Sequence, residues 1–341
     1  MSQTHMAREV AEIPEAAARF LAQSRDAVGE AAHALRRLDP NLIVTVARGS
    51  SDHAATYIKY AVELLAGIPV ASVGPSIASI YHRPLKLGQA ACLGISQSGR
   101  SPDGVEMMRS ATAGGALTVA ITNMPDSPMA QASSHCLPLQ AGEEKSVAAT
   151  KTFVCSVLAG LSLLAECRQD PALQAAVAAL PEALAKAVSL DWSPLADRMT
   201  DARSGYVLGR GPGFAIAAEA ALKFKETSGI HAEAYSAAEV LHGPAAIVQA
   251  RFPVLALGVE DAALPQLTAT AERLVAQGAD VFLTGTEVAG ATTLPSVPGL
   301  HPLVAPLTLI AGFYGFIEGL ARRRGYDPDT PPHLRKVTET V

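Results

Sequence analysis

Four polar donors crowd into six residues of the stretch Gly94-Ile-Ser-Gln-Ser-Gly-Arg-Ser-Pro-Asp103. Ser96, Ser98 and Ser101 offer hydroxyls, Gln97 an amide, and Gly99 the backbone freedom to wrap an anion. Pro102 stands where a first helical turn would begin, ahead of a helix-compatible segment over 105–113. Backbone N–H groups at a helix start carry partial positive charge, so the pattern is that of a phosphate-binding turn. It lacks the Gly-Lys-Ser/Thr ending of a nucleoside-triphosphate loop, which points to a small phosphorylated ligand. The competing reading is an ordinary strand-to-helix turn, where Ser and Gly are common. A second set, Glu219, Lys223 and Glu226, is spaced four and three apart and shares one helix face. On an isolated helix this would be a solvated salt-bridge stripe. Two histidines and further carboxylates follow in Ile230-His-Ala-Glu-Ala-Tyr235 and Glu239-Val-Leu-His-Gly-Pro244, where His242-Gly243-Pro244 reads as a turn holding an imidazole in place.

The elements that must position these residues are short apolar strands alternating with helices. Residues 6–38 show helical spacing, with Pro14 near a helix start and a break at Asp39-Pro40. The strand Leu42–Ala47 leads into Arg48-Gly-Ser-Ser51 and a helix from about Asp52 to Ala66, capped by Gly67. Strands are predicted over 68–73, 90–95, 117–121 and 135–139, and a long apolar helix over Val147–Glu166. After a helical connection over 171–202, the strand Tyr206–Gly209 runs into Arg210-Gly-Pro-Gly213 and a helix over 214–228, an echo of the Arg48 turn that suggests a repeated module. Strands over 253–258 and 279–284, a helix over 264–277 between them and a helix over 306–323 complete it. Such alternation predicts an α/β fold with parallel sheets covered on both faces and ligands at the strands' carboxyl ends. The expected division is a helical segment over 1–38, a first module over 39–170, a connection over 171–202, a second module over 203–325 and a polar, Pro-rich tail over 326–341. Nothing after Leu257 reproduces Ser-Gln-Ser-Gly, so only the first module is expected to bind phosphate.

Composition narrows the classes. With 49% hydrophobic and 17% charged residues the chain can bury a large core, and its net charge of −5 argues against a general nucleic-acid binder. The only basic run, Arg322–Arg324, suits a helix C-terminus. Apolar stretches are interrupted before membrane-spanning length, and Met1-Ser-Gln-Thr-His lacks a signal-peptide pattern. Cys92, Cys136, Cys155 and Cys167 form no C-x-x-C and are expected to be reduced core thiols of a cytoplasmic protein. No histidine pattern implies a metal site, and no cofactor is expected.

Seven motifs in order, Ser96–Gly99, Val147-Ala-Ala-Thr-Lys151, Leu208-Gly-Arg-Gly211, Ala221-Leu-Lys-Phe-Lys-Glu226, Ile230–Tyr235, His242-Gly-Pro244 and the Lys336 tail, resemble the isomerase half of glucosamine-6-phosphate synthase. That half is built from two sugar-isomerase (SIS) modules of flavodoxin-like, doubly wound topology. The resemblance covers most of the chain beyond residue 40. It implies phosphate contacts at Ser96, Gln97, Ser98 and Ser101, with Ser51 near the sugar and further substrate contacts at Ser50, Val147 and Ala149. Glu226 would move a proton between C1 and C2, Lys223 would lie near the sugar oxygens, and Lys336 would close over the open-chain sugar. His242 would assist ring opening at the site of a neighbouring protomer, which implies a homodimer. Aldose–ketose interconversion does need a carboxylate at the acidic C–H and a proton carrier at the ring oxygen.

Departures from the synthase pattern shift the expected reaction. The synthase has an N-terminal glutaminase with a cysteine nucleophile, whereas this chain begins Met1-Ser2, so ammonia rather than glutamine is the expected nitrogen partner. Arg100 replaces an acidic residue of the synthase, and Ala149 a serine. The string Ser-Gly-Arg-Ser-Pro-Asp is similar to stand-alone SIS deaminases, which release ammonia from a hexosamine 6-phosphate and leave a ketose phosphate. A fructosamine-6-phosphate deglycase and a non-catalytic phosphosugar sensor are the rivals. The sensor is disfavoured because it would need no Glu226, His242 and Lys336 together and no DNA-binding segment precedes the first module.

Overall fold

The computed structural model describes residues 3–336. The N-terminal segment forms three helices, α1 (His5–Ala11), α2 (Ile13–Gln23) and α3 (Arg25–Leu38), with Pro14 in the first turn of α2 where its missing N–H costs nothing. Then follow β1 (Leu42–Val46), α4 (Ser50–Ala66), β2 (Val70–Ser72), α5 (Ser76–Ser79), β3 (Ala90–Ile95), α6 (Pro102–Ala113), β4 (Leu117–Thr122), α7 (Pro128–Gln131), β5 (His135–Pro138) and α8 (Lys151–Arg168). Helices α9 (Pro171–Ala187) and α10 (Ser193–Met199) lead to β6 (Ser204–Gly209), α11 (Pro212–Ser228), β7 (His231–Ser236) and two 3-10 turns, Glu239–His242 and Pro244–Ile247. The remaining elements are β8 (Pro253–Ala256), α12 (Leu264–Ala276), β9 (Asp280–Leu283), β10 (Thr292–Thr293) and α13 (Ala305–Arg323).

Two five-stranded parallel sheets result, in the orders β2-β1-β3-β4-β5 and β10-β9-β8-β6-β7. Counted from its own first strand, each sheet runs 2-1-3-4-5, the flavodoxin-like doubly wound order. The chain reverses direction of growth between β1 and β3 in one sheet and between β6 and β8 in the other. The fold class read from the alternation therefore holds in both modules. β3 is buried at all six positions, as a strand covered on both faces must be.

Local deviations from the predicted elements have physical causes. The helix predicted from Val147 starts only at Lys151, so Val147–Thr150 is irregular chain. From Lys151 to Ala165 every α8 residue is buried, which explains why its sequence is apolar all round. Among the described residues β7 is an edge strand paired with β6, and its polar sequence His-Ala-Glu-Ala-Tyr-Ser hides it from a hydrophobicity reading. The strand predicted over 68–73 is confined to Val70–Ser72.

Two compact units interleave along the chain: among the described residues, one comprises 14–144, 151–181 and 335–336, the other 3–13, 145–150 and 182–334. The core of the first includes Val44, Val46, Cys92, Met107 and Met108. In the second, Phe224 on α11 packs edge-on against Phe313 and Phe316 of α13 at centroid distances of 5.2 and 5.9 Å. Arg322 and Arg323 do lie in the last turn of α13, and Arg324 donates to the carbonyls of Met199, Ala202 and Ser228. All four cysteines are free; burial pushes the Cys92 and Cys155 thiols up to about 12 and those of Cys136 and Cys167 to about 11, so none is a reactive thiolate. Among the described residues no helix is long and apolar enough to cross a membrane.

Candidate functional site

In the first unit, β1 and β3 are paired with Val46 opposite Gly94, so the turns that follow them leave the sheet side by side. Ser50 and Ser51 open α4, and Ser96–Ser101 leads into α6, so two helix N-termini start at this switch point. Ser50, Ser51, Ser96, Gln97, Ser98 and Ser101 are all partly exposed. The turn is held by its backbone. Asn123 N–H donates to the Gln97 carbonyl at 3.1 Å and Met129 N–H to the Gly99 carbonyl at 3.0 Å, while Gly99 N–H donates to Ser96 Oγ at 3.1 Å. Gly99 has φ +60°, and a Cβ there would lie 2.0 Å from Ser127 Oγ, so only glycine closes this loop. Ser101 is the N-cap of α6, yet its hydroxyl makes no capping bond.

Arg48 adds a feature that the motif reading left aside. Its guanidinium donates to Asp103 Oδ2 at 2.6 Å, with Asp103 only 2% exposed in the first turn of α6. The Ser79 hydroxyl and then the Arg48 guanidinium hold the Asp103 carboxyl below the usual range, against burial. Among the described residues Asp103 Oδ1 itself has no hydrogen-bond partner, and the Ser79 hydroxyl donates to the Pro75 carbonyl at 3.3 Å. At the same switch point, burial raises the pKa of Asp52, opposed by His53 and Arg48.

Val147 and Ala149 alternate with buried Ser146, Ala148 and Thr150, so they are the partly exposed positions of their segment. In the second unit this segment is fixed by Glu9 of α1, which accepts from the Lys145 N–H, the Ser146 N–H and the Ser146 hydroxyl. Val147 N–H donates to the Asp329 carbonyl at 3.1 Å, and the Asp329 carboxylate accepts from the His5 and Met6 N–H groups at the start of α1. Glu9 carries no motif and reads in sequence as one more polar helix position. In the first unit, Lys336 is already engaged: its Nζ donates to Glu144 Oε2 at 3.0 Å.

Glu219, Lys223 and Glu226 come together on α11, and not as a solvated stripe. Lys223 and Glu219 have fully buried side chains, with Lys223 Nζ 3.2 Å from Glu219 and 2.5 Å from Glu226. Tyr314 donates to Glu219 at 3.0 Å. Burial pulls the Lys223 pKa down, but the two carboxylates outweigh it and hold the group above the ordinary lysine value. Lys223 is thus a fixed cation, and Glu226, with 21% of its side chain exposed, is the member of the cluster open to a ligand. His242 ends the first 3-10 turn, exposed, just before Gly243 at φ +142°. His231 is 74% exposed, 3.8 Å from Glu233.

Gly211 repeats the backbone of Gly49 almost degree for degree, φ 56°, ψ −134° against φ 55°, ψ −133°, each as the N-cap of a seventeen-residue helix. The crevice after β8 is different in kind. Where the first module has serines and an amide, this depression along α12 is lined by Glu260, Asp261 and Glu272 together with Thr268, Thr286 and Leu264.

A family model for the SIS domain matches residues 38–165 and 198–287. Glutamine–fructose-6-phosphate aminotransferase (isomerizing) of Zymomonas mobilis is 33% identical over 313 residues, spanning 86% of this chain and 51% of that protein. Its Caulobacter vibrioides counterpart is 31% identical over 351 residues, spanning 97% and 58%. The chain therefore spans little more than half the length of these relatives. Among solved structures, a Silicibacter pomeroyi DSS-3 protein provisionally described as a phosphosugar isomerase superposes with TM-score 0.93 at 51% identity, covering 96% of this chain and 100% of that one. The C-terminal domain of glucosamine-fructose-6-phosphate aminotransferase from Francisella tularensis superposes with TM-score 0.86 at 25% identity, covering 97% and 99%. Glucosamine-6-phosphate deaminase from Thermotoga maritima shares the fold, with TM-score 0.78 at 21% identity over 99% and 100%.

Proposed function

Because the chain belongs to the SIS-domain family, we propose that it is a phosphosugar isomerase that converts a hexosamine 6-phosphate to a ketose phosphate with release of ammonia. The observation that carries this reading is the buried Glu219–Lys223–Glu226 cluster with one edge open at Glu226. Proton transfer between adjacent carbons needs a carboxylate held at a fixed place yet accessible, and Lys223 holds Glu226 in that way. In the proposed reaction Glu226 takes the proton from C2 of the open-chain amino sugar and returns it to C1. The resulting C2 imine is hydrolysed by water, which leaves the ketone and ammonia.

The phosphate is assigned to the switch-point turn, to Ser96, Gln97, Ser98 and Ser101 with Ser50 and Ser51 at the second helix start. Val147 and Ala149 meet the sugar, and Lys336 acts on its oxygens or carbonyl. His242 assists ring opening. Its exposure on a turn bounded by Gly243 suits delivery to a second protomer, and the proposed assembly is a homodimer.

The test is a panel of aldose, ketose and hexosamine 6-phosphates and 6-phosphorylated fructosamines, assayed for free ammonia and ketose phosphate. Glucosamine or galactosamine 6-phosphate should yield both in equal amounts. Turnover of fructosamines alone would replace the deaminase by a deglycase, and binding without turnover of any member would make the protein a sensor.

A further inference from the structure

Glu144 is a carboxylate with no exposed side-chain surface, and the groups donating to it include Thr152 N–H at 3.2 Å, Thr152 Oγ1 at 2.6 Å and Lys336 Nζ at 3.0 Å. Thr152 is the second residue of α8, so the carboxylate occupies a helix N-terminus, where the dipole favours negative charge. That accounts for a buried anion, but not for the distant lysine it also binds. Lys336 arrives from 192 positions away in the sequence. Its neighbours Leu334 and Arg335 are exposed, whereas its own side chain is 24% exposed and turned onto Glu144. Glu144 also opens the irregular stretch that carries Val147 and Ala149, whose backbone Glu9 holds.

We infer that Glu144 is the positioning residue for Lys336: it docks the tail lysine as an ammonium on a buried carboxylate and so fixes where the amine waits for the sugar. The inference deepens the proposed function and rests on its reading of Lys336. The competing account is that Glu144 only caps α8.

Glu144→Gln separates the two, since the amide keeps an acceptor for Thr152 and removes the charge that holds the lysine. In the ligand-free protein, competitive acetylation of Lys336 read by mass spectrometry should rise about tenfold in Glu144→Gln, the charge-assisted bond being lost. Turnover of the hexosamine 6-phosphate should fall at least about tenfold, and Glu144→Gln should cost nothing further in a Lys336→Ala background, as expected for two residues acting as one unit. Unchanged acetylation, or losses that simply add, would overturn the inference. Wild-type turnover in Lys336→Ala would instead overturn the reading of Lys336 in catalysis, and acetylation would still decide the docking. If Glu144→Gln does not fold, Glu144→Asp keeps the charge at α8 while withdrawing it from Lys336, and the same rise in labelling is expected.

Discussion

A lysine buried without its hydration costs several kcal/mol unless opposite charge accompanies it, and Lys223 is flanked by two carboxylates in an environment that excludes water. Removing the cation leaves two anions facing each other, one of them wholly buried. Lys223→Met should therefore lower stability by about 3–5 kcal/mol in urea unfolding, and adding Glu219→Gln should recover part of the loss. A Lys223→Met midpoint equal to that of the parent would show that the cluster is not coupled. Asp103 gives a pH dependence. Its folded pKa is depressed, so its contribution is present above the unfolded value near 4 and disappears as pH falls through the lower folded value. The stability of the parent should thus drop more steeply below about pH 4 than that of Asp103→Asn, as thermal melts across pH 2–5 would report. The residue types of the Glu219, Lys223 and Glu226 cluster were legible from spacing alone but their burial was not, and the pairing of Arg48 with Asp103 was not legible at all. Helical spacing of Glu219, Lys223 and Glu226 is equally that of a surface stripe, and only the packing of α13 with Tyr314 against α11 distinguishes them. Glu144 was hidden for a similar reason, since Glu143-Glu144-Lys145 reads as a solvated charge run.

Among the elements, the turns made of Gly and Ser were the most legible because the chemistry that bends the chain is local. Gly67 ends α4 in the left-handed region, and Pro102 starts α6, both as their residue types predict. What escaped depends on tertiary pairing: β7 is a strand because β6 offers it an edge, and α8 begins at Lys151 because the preceding residues are bound elsewhere. The two repeated turns provide a matched experiment. Gly49→Ala and Gly211→Ala force the same backbone, φ near +55° and ψ near −133°, with no steric neighbour, so each should cost about 1–3 kcal/mol and by nearly equal amounts. Only Gly49→Ala should weaken inorganic phosphate binding, because only its module carries the Ser/Gln turn. Gly99→Ala should be the more severe change, its Cβ being driven onto Ser127 as well. Equal loss of phosphate affinity in Gly49→Ala and Gly211→Ala, measured by calorimetry, would remove the division of labour between the modules.

At the scale of the whole molecule, one topology is used twice with different residues at its equivalent turns. The first module keeps an uncharged donor turn at its switch point, while the second has placed Glu260 and Asp261 there and a charged cluster on α11. The repeat was visible in the Arg-Gly echo, since a turn at positive φ demands glycine wherever it recurs. The proposed dimer has its own signature. If Glu226 and His242 of one site come from different chains, mixing Glu226→Gln with His242→Asn protein should restore about a quarter of the sites by random reassociation. Activity that stays at the level of the inactive parents would refute a shared site. The most direct measurement of the central claim follows the proton itself. In heavy water with the protein, fructose 6-phosphate should acquire deuterium at C1 and the hexosamine 6-phosphate at C2, and the ketose phosphate formed from the hexosamine should carry deuterium at C1, observed by NMR. Glu226→Gln should still bind the phosphosugar while exchange slows by about two to four orders of magnitude. Exchange at the parental rate in Glu226→Gln, or none in the parent with any of these sugars, would contradict the assignment of Glu226 as the base.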